Sequence, residues 1–291
     1  MKILIVTRPD NNNKSRIESF LGKGNSISFY ETSCLYDVCG IAGGIKKIYP
    51  QILVSAGGDG WLNDTLNALM ASGLNVPVGI IPLGSMNLFA VEAGIPLSLP
   101  EACKTINDGR TAGVDIGRLS AQGFSRFFIC WASSGFDSHV AKLVKDSRMK
   151  PVLGAFPSYL INGIRGLFTF KPCGMLISAG GSNYEGNNMV MSNAGVFATK
   201  KSRISGDSKL DDGVFELHVL EHSGKLDILR YVLGIATGTH EKYPDVISRK
   251  CRELVISSDK PLLFHLDEEP VEVLPPVKIE LLPKAVRILK G

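Results

Sequence analysis

The chain has 291 residues, of which 44% are hydrophobic and 21% charged, and a formal net charge of +4. That length and apolar content exclude a disordered chain and suffice for one large or two medium cores, while so small a net charge gives no case for a nucleic-acid partner. Glycine and proline, 31 and 15 residues, occur without a collagen period, a low-complexity block or an internal repeat, which is turn-rich globular usage.

The opening residues, MKILIVTRPD, carry a short apolar run and then polar side chains, and every longer apolar stretch is broken by Gly, Pro, Asn or a charge. No secretory signal and no membrane-spanning segment are expected. Apolar runs at Ile3–Thr7, Ser26–Tyr30, Ile52–Ala56 and Val78–Ile81 read as short strands separated by helix-length stretches, the pattern of a parallel α/β layer. Beyond about Asp115 the pattern changes. Phe127–Trp131, Gly174–Ser178, Met189–Ser192, Phe215–Leu220 and Glu253–Ile256 read as strands of an antiparallel domain, so a boundary is expected near Asp115. Along the tail Val277, Ile279 and Leu281 alternate with Lys278 and Glu280, and Pro275, Pro276 and Pro283 mark turns, so the tail is expected to close a sheet.

The cysteines at 34, 39, 103, 130, 173 and 251 have no metal or redox spacing and are expected to be reduced core thiols of a cytosolic protein. Positive charge gathers between Asp137 and Lys171, where Lys142, Lys145, Arg148, Lys150, Arg165 and Lys171 outweigh Asp137 and Asp146.

The most informative stretch is ILVSAGGDGWLNDTLNAL at 52–69. An apolar strand runs into Gly57, Gly58, Asp59 and Gly60, then into a helix with Leu62, Leu66 and Leu69 on one face. Such a turn offers backbone N–H groups at a helix N-terminus, where phosphate is the natural ligand. A tight turn with Asp59 as helix N-cap explains the same residues. An acid beside phosphate repels it unless a cation or a proton transfer intervenes, so Asp59 points to Mg-linked phosphoryl chemistry. In VGIIPLGSMNLFAVEAGIP at 78–96, Gly84 lets the backbone approach a ligand, Ser85 offers a hydroxyl and Asn87 can orient its neighbours.

Six ordered segments resemble the diacylglycerol kinase catalytic-domain superfamily, which includes bacterial lipid kinases and the sphingosine and ceramide kinases. They are GGDGW at 57–61, PLGSMNLFAVEAGIP at 82–96, VDIGRL at 114–119, FFICWASSGFDSHV at 127–140, KLDDGVFELHVL at 209–220 and HLDEEPV at 265–271. The resemblance implies an amino-terminal NAD kinase-like α/β domain over residues 1–115, a carboxy-terminal β-sandwich domain for the lipid substrate over 116–275, and a return of 276–291 to the first domain. It also implies ATP between the two domains. Thr32, Gly57, Gly58, Asp59, Gly60, Asn63 and Ser85 match nucleotide-contacting positions. Asp267 and Glu269 match the two acids of the family's LDGE, the second being its general base. Asp115 matches an acid of the Mg network, and a structural Mg site would use the Asp212 side chain with the carbonyls of Lys209 and Val214.

A physical argument for Glu269 stands beside the resemblance. A lipid hydroxyl must lose its proton as it attacks a γ-phosphoryl group, and a carboxylate within reach can take it. Asp267, two residues away on an extended strand, would share that face. The run Asp267, Glu268 and Glu269 also fits a solvated hairpin tip, and Asp212 fits plain turn chemistry. Three positions depart from the family: Trp61 stands for Thr, Leu88 for the Asp of many members, and Glu268 for the Gly of LDGE, which removes backbone freedom if φ must be positive.

PSYLINGIRGLFTF at 157–170 fits a segment lying on an anionic bilayer and equally a core helix. The leading reading is an ATP- and Mg-dependent lipid kinase at the cytoplasmic membrane face, acting on a diacylglycerol-like lipid, phosphatidylglycerol or a sphingoid lipid, with a homodimer left open. NAD kinase and a lipid-binding pseudokinase are the alternatives.

Overall fold

The structure is a computed structural model that describes residues 1–291 except 23, 35, 148–153, 198–202 and 207. Arg148 and Lys150 of the basic stretch lie outside the described residues. The chain forms two compact units, Met1–Asp115 with Pro283–Gly291, and Ile116–Leu282.

In the first unit, strands β1 (Lys2–Thr7), β2 (Ser26–Glu31), β3 (Ile52–Gly57) and β4 (Val78–Pro82) form a parallel sheet in the order β2-β1-β3-β4. The register pairs Thr7 with Glu31 and with Ala56, and Gly57 with Pro82. The C-terminal ends of four strands are therefore aligned. Helices α1 (Lys14–Leu21), α2 (Val38–Ile48), α3 (Asp59–Ser72), α4 (Leu88–Glu92) and α5 (Leu99–Asp108) connect them. Ile3, Ile5, Val54 and Ile81 pack with Ile17, Leu21 and Ile106, the two-faced burial that makes parallel strands read as continuous apolar runs.

The second unit begins within β5 (Thr111–Ala121) and continues through β6 (Phe124–Phe128), β7 (Trp131–Ser134), α6 (Phe136–Ser147), α7 (Ala155–Thr169), β8 (Met175–Ala179), β9 (Ser182–Gly186), β10 (Asn188–Ser192) and β11 (Phe215–Leu220). It goes on with α8 (Lys225–Thr237), a 3₁₀ turn (His240–Lys242), β12 (Val246–Cys251), β13 (Glu253–Ser257), β14 (Leu262–Leu266), β15 (Glu269–Val273) and β16 (Val277–Leu289). One antiparallel sheet runs β12-β11-β10-β7-β14-β15, and β16, β13, β8 and β9 pair in the other. Phe128, Phe215, Phe264, Ile177, Ile256 and Ile279 fill the core between them, a sandwich built from inward-facing alternate residues.

Two expectations fail locally. Phe127–Trp131 is not one strand: β6 ends at Phe128 and β7 begins at Trp131. Pro283 marks no turn, since β16 runs from Val277 through it to Leu289; Lys284 takes φ 47°, and its N–H donates to the buried Asp115 Oδ1 at 2.7 Å. The carboxylate thus satisfies a donor that the irregular backbone takes out of the ladder.

None of the six cysteines forms a disulfide, but only Cys103, Cys130 and Cys251 are buried, and burial pushes the Cys103 and Cys251 thiols up to about 11. Cys34 and Cys39 are exposed rather than core thiols.

Candidate functional site

The glycine turn of the first unit sits at the aligned strand ends, the usual place for a ligand in an open parallel sheet. Gly58 is the N-cap of α3, and the first amide returned within the helix is Leu62 N–H to Gly58 O at 3.1 Å. The backbone N–H groups of a first helical turn point out of the helix end, here the positive end of a 14-residue helix. The second loop packs directly on this turn. A Cβ on Gly84 would stand 2.5 Å from Gly58 Cα, and one on Gly58 would stand 3.1 Å from Gly84 Cα. Gly84 is therefore required by Gly58 itself, before any ligand is considered.

Asp59 joins the same two loops. Its Oδ2 accepts from Leu88 N–H at 2.9 Å and its Oδ1 from Phe89 N–H at 3.1 Å, so it caps α4, whereas the turn-chemistry reading had it cap its own helix. Asn87, at φ 52°, closes the loop: its Oδ1 accepts from Gly84 N–H at 2.9 Å and its Nδ2 donates to Gly84 O at 2.8 Å. Ser85 is exposed at the loop tip and Gly60 half-buried in the helix start. Thr32 follows β2 at the same edge; its N–H donates to Thr7 O at 3.1 Å and its Oγ1 accepts from Cys34 N–H at 3.2 Å. Asn63 is buried, and its Oδ1 accepts from Asn67 Nδ2 at 2.9 Å.

Trp61, the first departure, is buried against Gly57, where a Cβ would come within 2.7 Å of the indole Cγ. The indole occupies space that a glycine vacates. Leu88, the second, is buried and contributes the N–H that Asp59 accepts.

In the second unit the acids of HLDEEPV fall on the β14–β15 hairpin, where Leu266 pairs with Glu269. Asp267 is a turn residue at φ 53°, not part of an extended strand, and the positive φ falls on it rather than on Glu268. Glu268 therefore meets no positive-φ penalty there. The Asp267 carboxylate is 2% exposed and accepts three backbone donors: Ile129 N–H at 2.8 Å on Oδ2, and Cys130 N–H at 2.8 Å and Trp131 N–H at 3.1 Å on Oδ1. These amides belong to the bend between β6 and β7, so the interruption of the expected strand and the burial of Asp267 have one cause. Glu269 is instead held by a side chain, its Oε2 lying 2.8 Å from Arg126 Nε, with both groups largely buried.

A buried pair lies on the neighbouring strands. His265 Nδ1 is 2.8 Å from Asp137 Oδ2, which also accepts from Ser133 Oγ at 2.5 Å. Burial alone would lower the imidazole's pKa; the Asp137 charge and hydrogen bond, with Glu268 and Asp267, outweigh it and hold His265 above its ordinary value. Burial works against the Asp137 carboxylate too, and His265 and Ser133 more than reverse it, holding it below the usual range. Sequence reasoning found neither this pair nor Arg126, whose only mark is a lone cation among the Phe residues of β6.

Asp137 also borders a cavity of about 330 Å³ lined by Phe136, Val140, Phe197, Ile228 and Val232. Helix α7 beside it is not a core helix. It buries Ser158, Asn162 and Gly166 while Leu160, Ile164 and Phe168 are 57, 57 and 72% exposed, and α8 exposes Leu226 and Leu233. The expected Mg loop is exposed at Lys209 and Asp212, and Asp212 Oδ1 accepts from Val214 N–H at 3.2 Å, the turn chemistry that the sequence left open.

One unit with a glycine turn at the strand ends of a parallel α/β sheet and a second that is an antiparallel sandwich are the two parts of the NAD kinase-like fold. Residues 10–119 match the diacylglycerol kinase catalytic domain, and residues 130–290 match the YegS C-terminal NAD kinase beta sandwich-like domain. Diacylglycerol kinases from Staphylococcus aureus strains JH9 and Newman are each 30% identical over 225 residues, 75% of this chain and 68% of theirs. The chain belongs to the diacylglycerol kinase catalytic-domain family. At the level of fold alone, a diacylglycerol kinase from Bacillus anthracis str. Sterne matches with TM-score 0.72 at 17% identity, covering all of this chain and 97% of its own. An NAD kinase from Archaeoglobus fulgidus, solved with ATP, matches with TM-score 0.55 at 12% identity, covering all of this chain and 94% of its own.

Proposed function

We propose that the protein transfers the γ-phosphoryl group of ATP to the hydroxyl of a diacylglycerol-like lipid, working on the cytoplasmic face of an anionic membrane. The observation that carries this reading is the pair of interlocked glycine loops at the strand ends, in a chain of this family. The donors there fit phosphate: first-turn amides of α3 and the exposed Ser85 hydroxyl, with Gly60 adding no side chain to the helix start, while Gly57 and Gly58 let Trp61 and Gly84 pack close and shape the turn. Thr32 and Asn63 complete the nucleotide-binding set. When bound, Mg·ATP supplies the transferable phosphoryl group and neutralises its charge. Asp59 holds the two loops together and adds negative charge on the metal side. The resemblance assigns Asp115 to that acidic group, although its Oδ1 holds the Lys284 N–H, and an Mg ion in the second unit would take the exposed Asp212 carboxylate with the carbonyls of Lys209 and Val214, oxygen donors of the type Mg prefers.

Glu269 accepts the proton of the attacking hydroxyl, and Arg126 fixes its direction. Asp267 anchors the hairpin that carries it. The apolar cavity beside α6 and α8 suits an acyl chain, and the exposed apolar faces of α7 and α8, with Lys225 beside Phe168, suit peripheral contact with an anionic bilayer. The test is a labelled-ATP assay on diacylglycerol, phosphatidylglycerol, ceramide, sphingosine and NAD in mixed micelles with Mg²⁺. Transfer to a lipid supports the reading, and transfer to NAD alone overturns it. Lipid binding without transfer would favour the pseudokinase reading, for which the hydroxyl lost at Trp61 is the specific observation.

A further inference from the structure

The second unit contains a group of donors that phosphoryl transfer does not use. His218 lies on β11 and is 1% exposed; its Nδ1 is 2.9 Å from Ser248 Oγ. Its other nitrogen, Nε2, is buried with no hydrogen-bond partner among the described residues. His240, in the 3₁₀ turn after α8, is 2% exposed, and neither of its ring nitrogens has a hydrogen-bond partner among the described residues. The rings stand 5.2 Å apart at 64°. Buried ring nitrogens without partners are costly, and each such group calls for an explanation.

One ring nitrogen from each histidine and a carboxylate oxygen of the exposed Glu241 all lie within 4.8 Å of one another. We propose that His218, His240 and Glu241 bind a divalent transition cation of borderline softness, zinc(II) or a close neighbour. Two imidazoles and one carboxylate make a recurrent three-ligand zinc set that leaves a fourth position to water. Metal–ligand distances of about 2.0–2.2 Å imply ligand atoms about 3.3 Å apart; the exposed Glu241 closes its own distances by rotating its side chain, and the two imidazoles close theirs by turning their rings.

The surroundings favour the metal-ready form. In the tautomer whose Nδ1–H donates to Ser248 Oγ, the lone pair is left on Nε2, the control by a second partner that metal-ligating histidines usually have. Imidazole donors select against the hard Mg²⁺ of the phosphoryl site. The ligands also come from elements that a metal would tie together. Thr239 N–H donates to Gly234 O at 2.8 Å, and a Cβ on Gly234 would lie 3.1 Å from His240 Cα. The turn is thus packed onto the last part of α8, whose Ile228 and Val232 line the apolar cavity. A cation there would clamp the end of that helix to β11.

The test uses tag-free, chelator-treated full-length protein titrated with Co²⁺ alone, followed by its visible d–d absorption, then by competition with Zn²⁺. The expected result is one equivalent of bound Co²⁺, displaced by Zn²⁺ and not by excess Mg²⁺. Glu241→Gln, at an exposed position that leaves the fold intact, should weaken binding by at least about tenfold, and His240→Gln should abolish it. No saturable Co²⁺ binding by the folded protein overturns the proposal. So does binding that survives Glu241→Gln unchanged but is lost when the exposed Cys34 and Cys39 are replaced by Ser.

Discussion

Two aspartates do the same chemistry at different depths. In the first unit Asp59 is half-buried and accepts two amides at the start of a five-residue helix. In the second, Asp267 is 2% exposed and accepts three amides of a bend between strands. Both are acids of the family motifs, and both are already engaged in holding backbone before any substrate arrives. The difference lies in the acid and in the number of donors. Asp59 is half-buried and serves the two amides of the buried Leu88 and Phe89, whereas Asp267 is itself enclosed with three amides, so its removal strands more buried N–H groups. Glu269, held by Arg126 rather than by those amides, is the acid of the hairpin to which we assign the proton transfer.

The largest expected effect follows from that depth. Asp267→Ala should lose about 3–5 kcal/mol of unfolding free energy, since it leaves buried donors unpaired; urea denaturation measures it, and a loss below that of the shallower site would break the comparison. Depth also sets the pH response of the second unit. An unfolded histidine protonates near 6.5 while His218 stays neutral down to about 4, so stability should fall by about 3 kcal/mol as pH drops through that window. His265 acts with the opposite sign: its pKa is raised, so its contribution is present below 6.5 and is lost as pH rises through the folded value. Denaturation at several pH values should show His218→Gln flattening the acid side and His265→Gln the alkaline side, and exchanged effects would contradict the assignments. The smallest effect belongs to Asp59→Asn, about 1 kcal/mol, because asparagine keeps one acceptor for a helix start; an unchanged melting midpoint would mean that the two N–H contacts contribute nothing.

What the sequence revealed and what it hid divide along local and non-local lines. The parallel strands and the glycine turn were legible because apolar runs and Gly57 to Gly60 act within a few residues of themselves. The partners of the acids were not. Asp59 reaches Leu88 and Phe89, Asp267 reaches Ile129 to Trp131, and Asp115 reaches Lys284, contacts made only after the chain has folded. That is why Phe127–Trp131 reads as one strand: its side chains are apolar throughout, and nothing local reveals that a distant carboxylate takes its amides. Helix α7 misleads in the other direction, since its apolar residues suit a core while Ser158, Asn162 and Gly166 form the buried face. His218 and His240 come from a strand and a turn with no motif spacing between them, so only the folded chain brings their rings together.

The most direct test of the central claim compares Glu269→Gln with wild type for labelled phosphate transfer from Mg·ATP to diacylglycerol in mixed micelles, with ATP affinity measured in parallel. A proton acceptor acts in the transition state, so turnover should fall by about 100- to 10,000-fold while ATP affinity stays close to wild type. Turnover equal to wild type in the folded variant would contradict the assignment of Glu269 as the base.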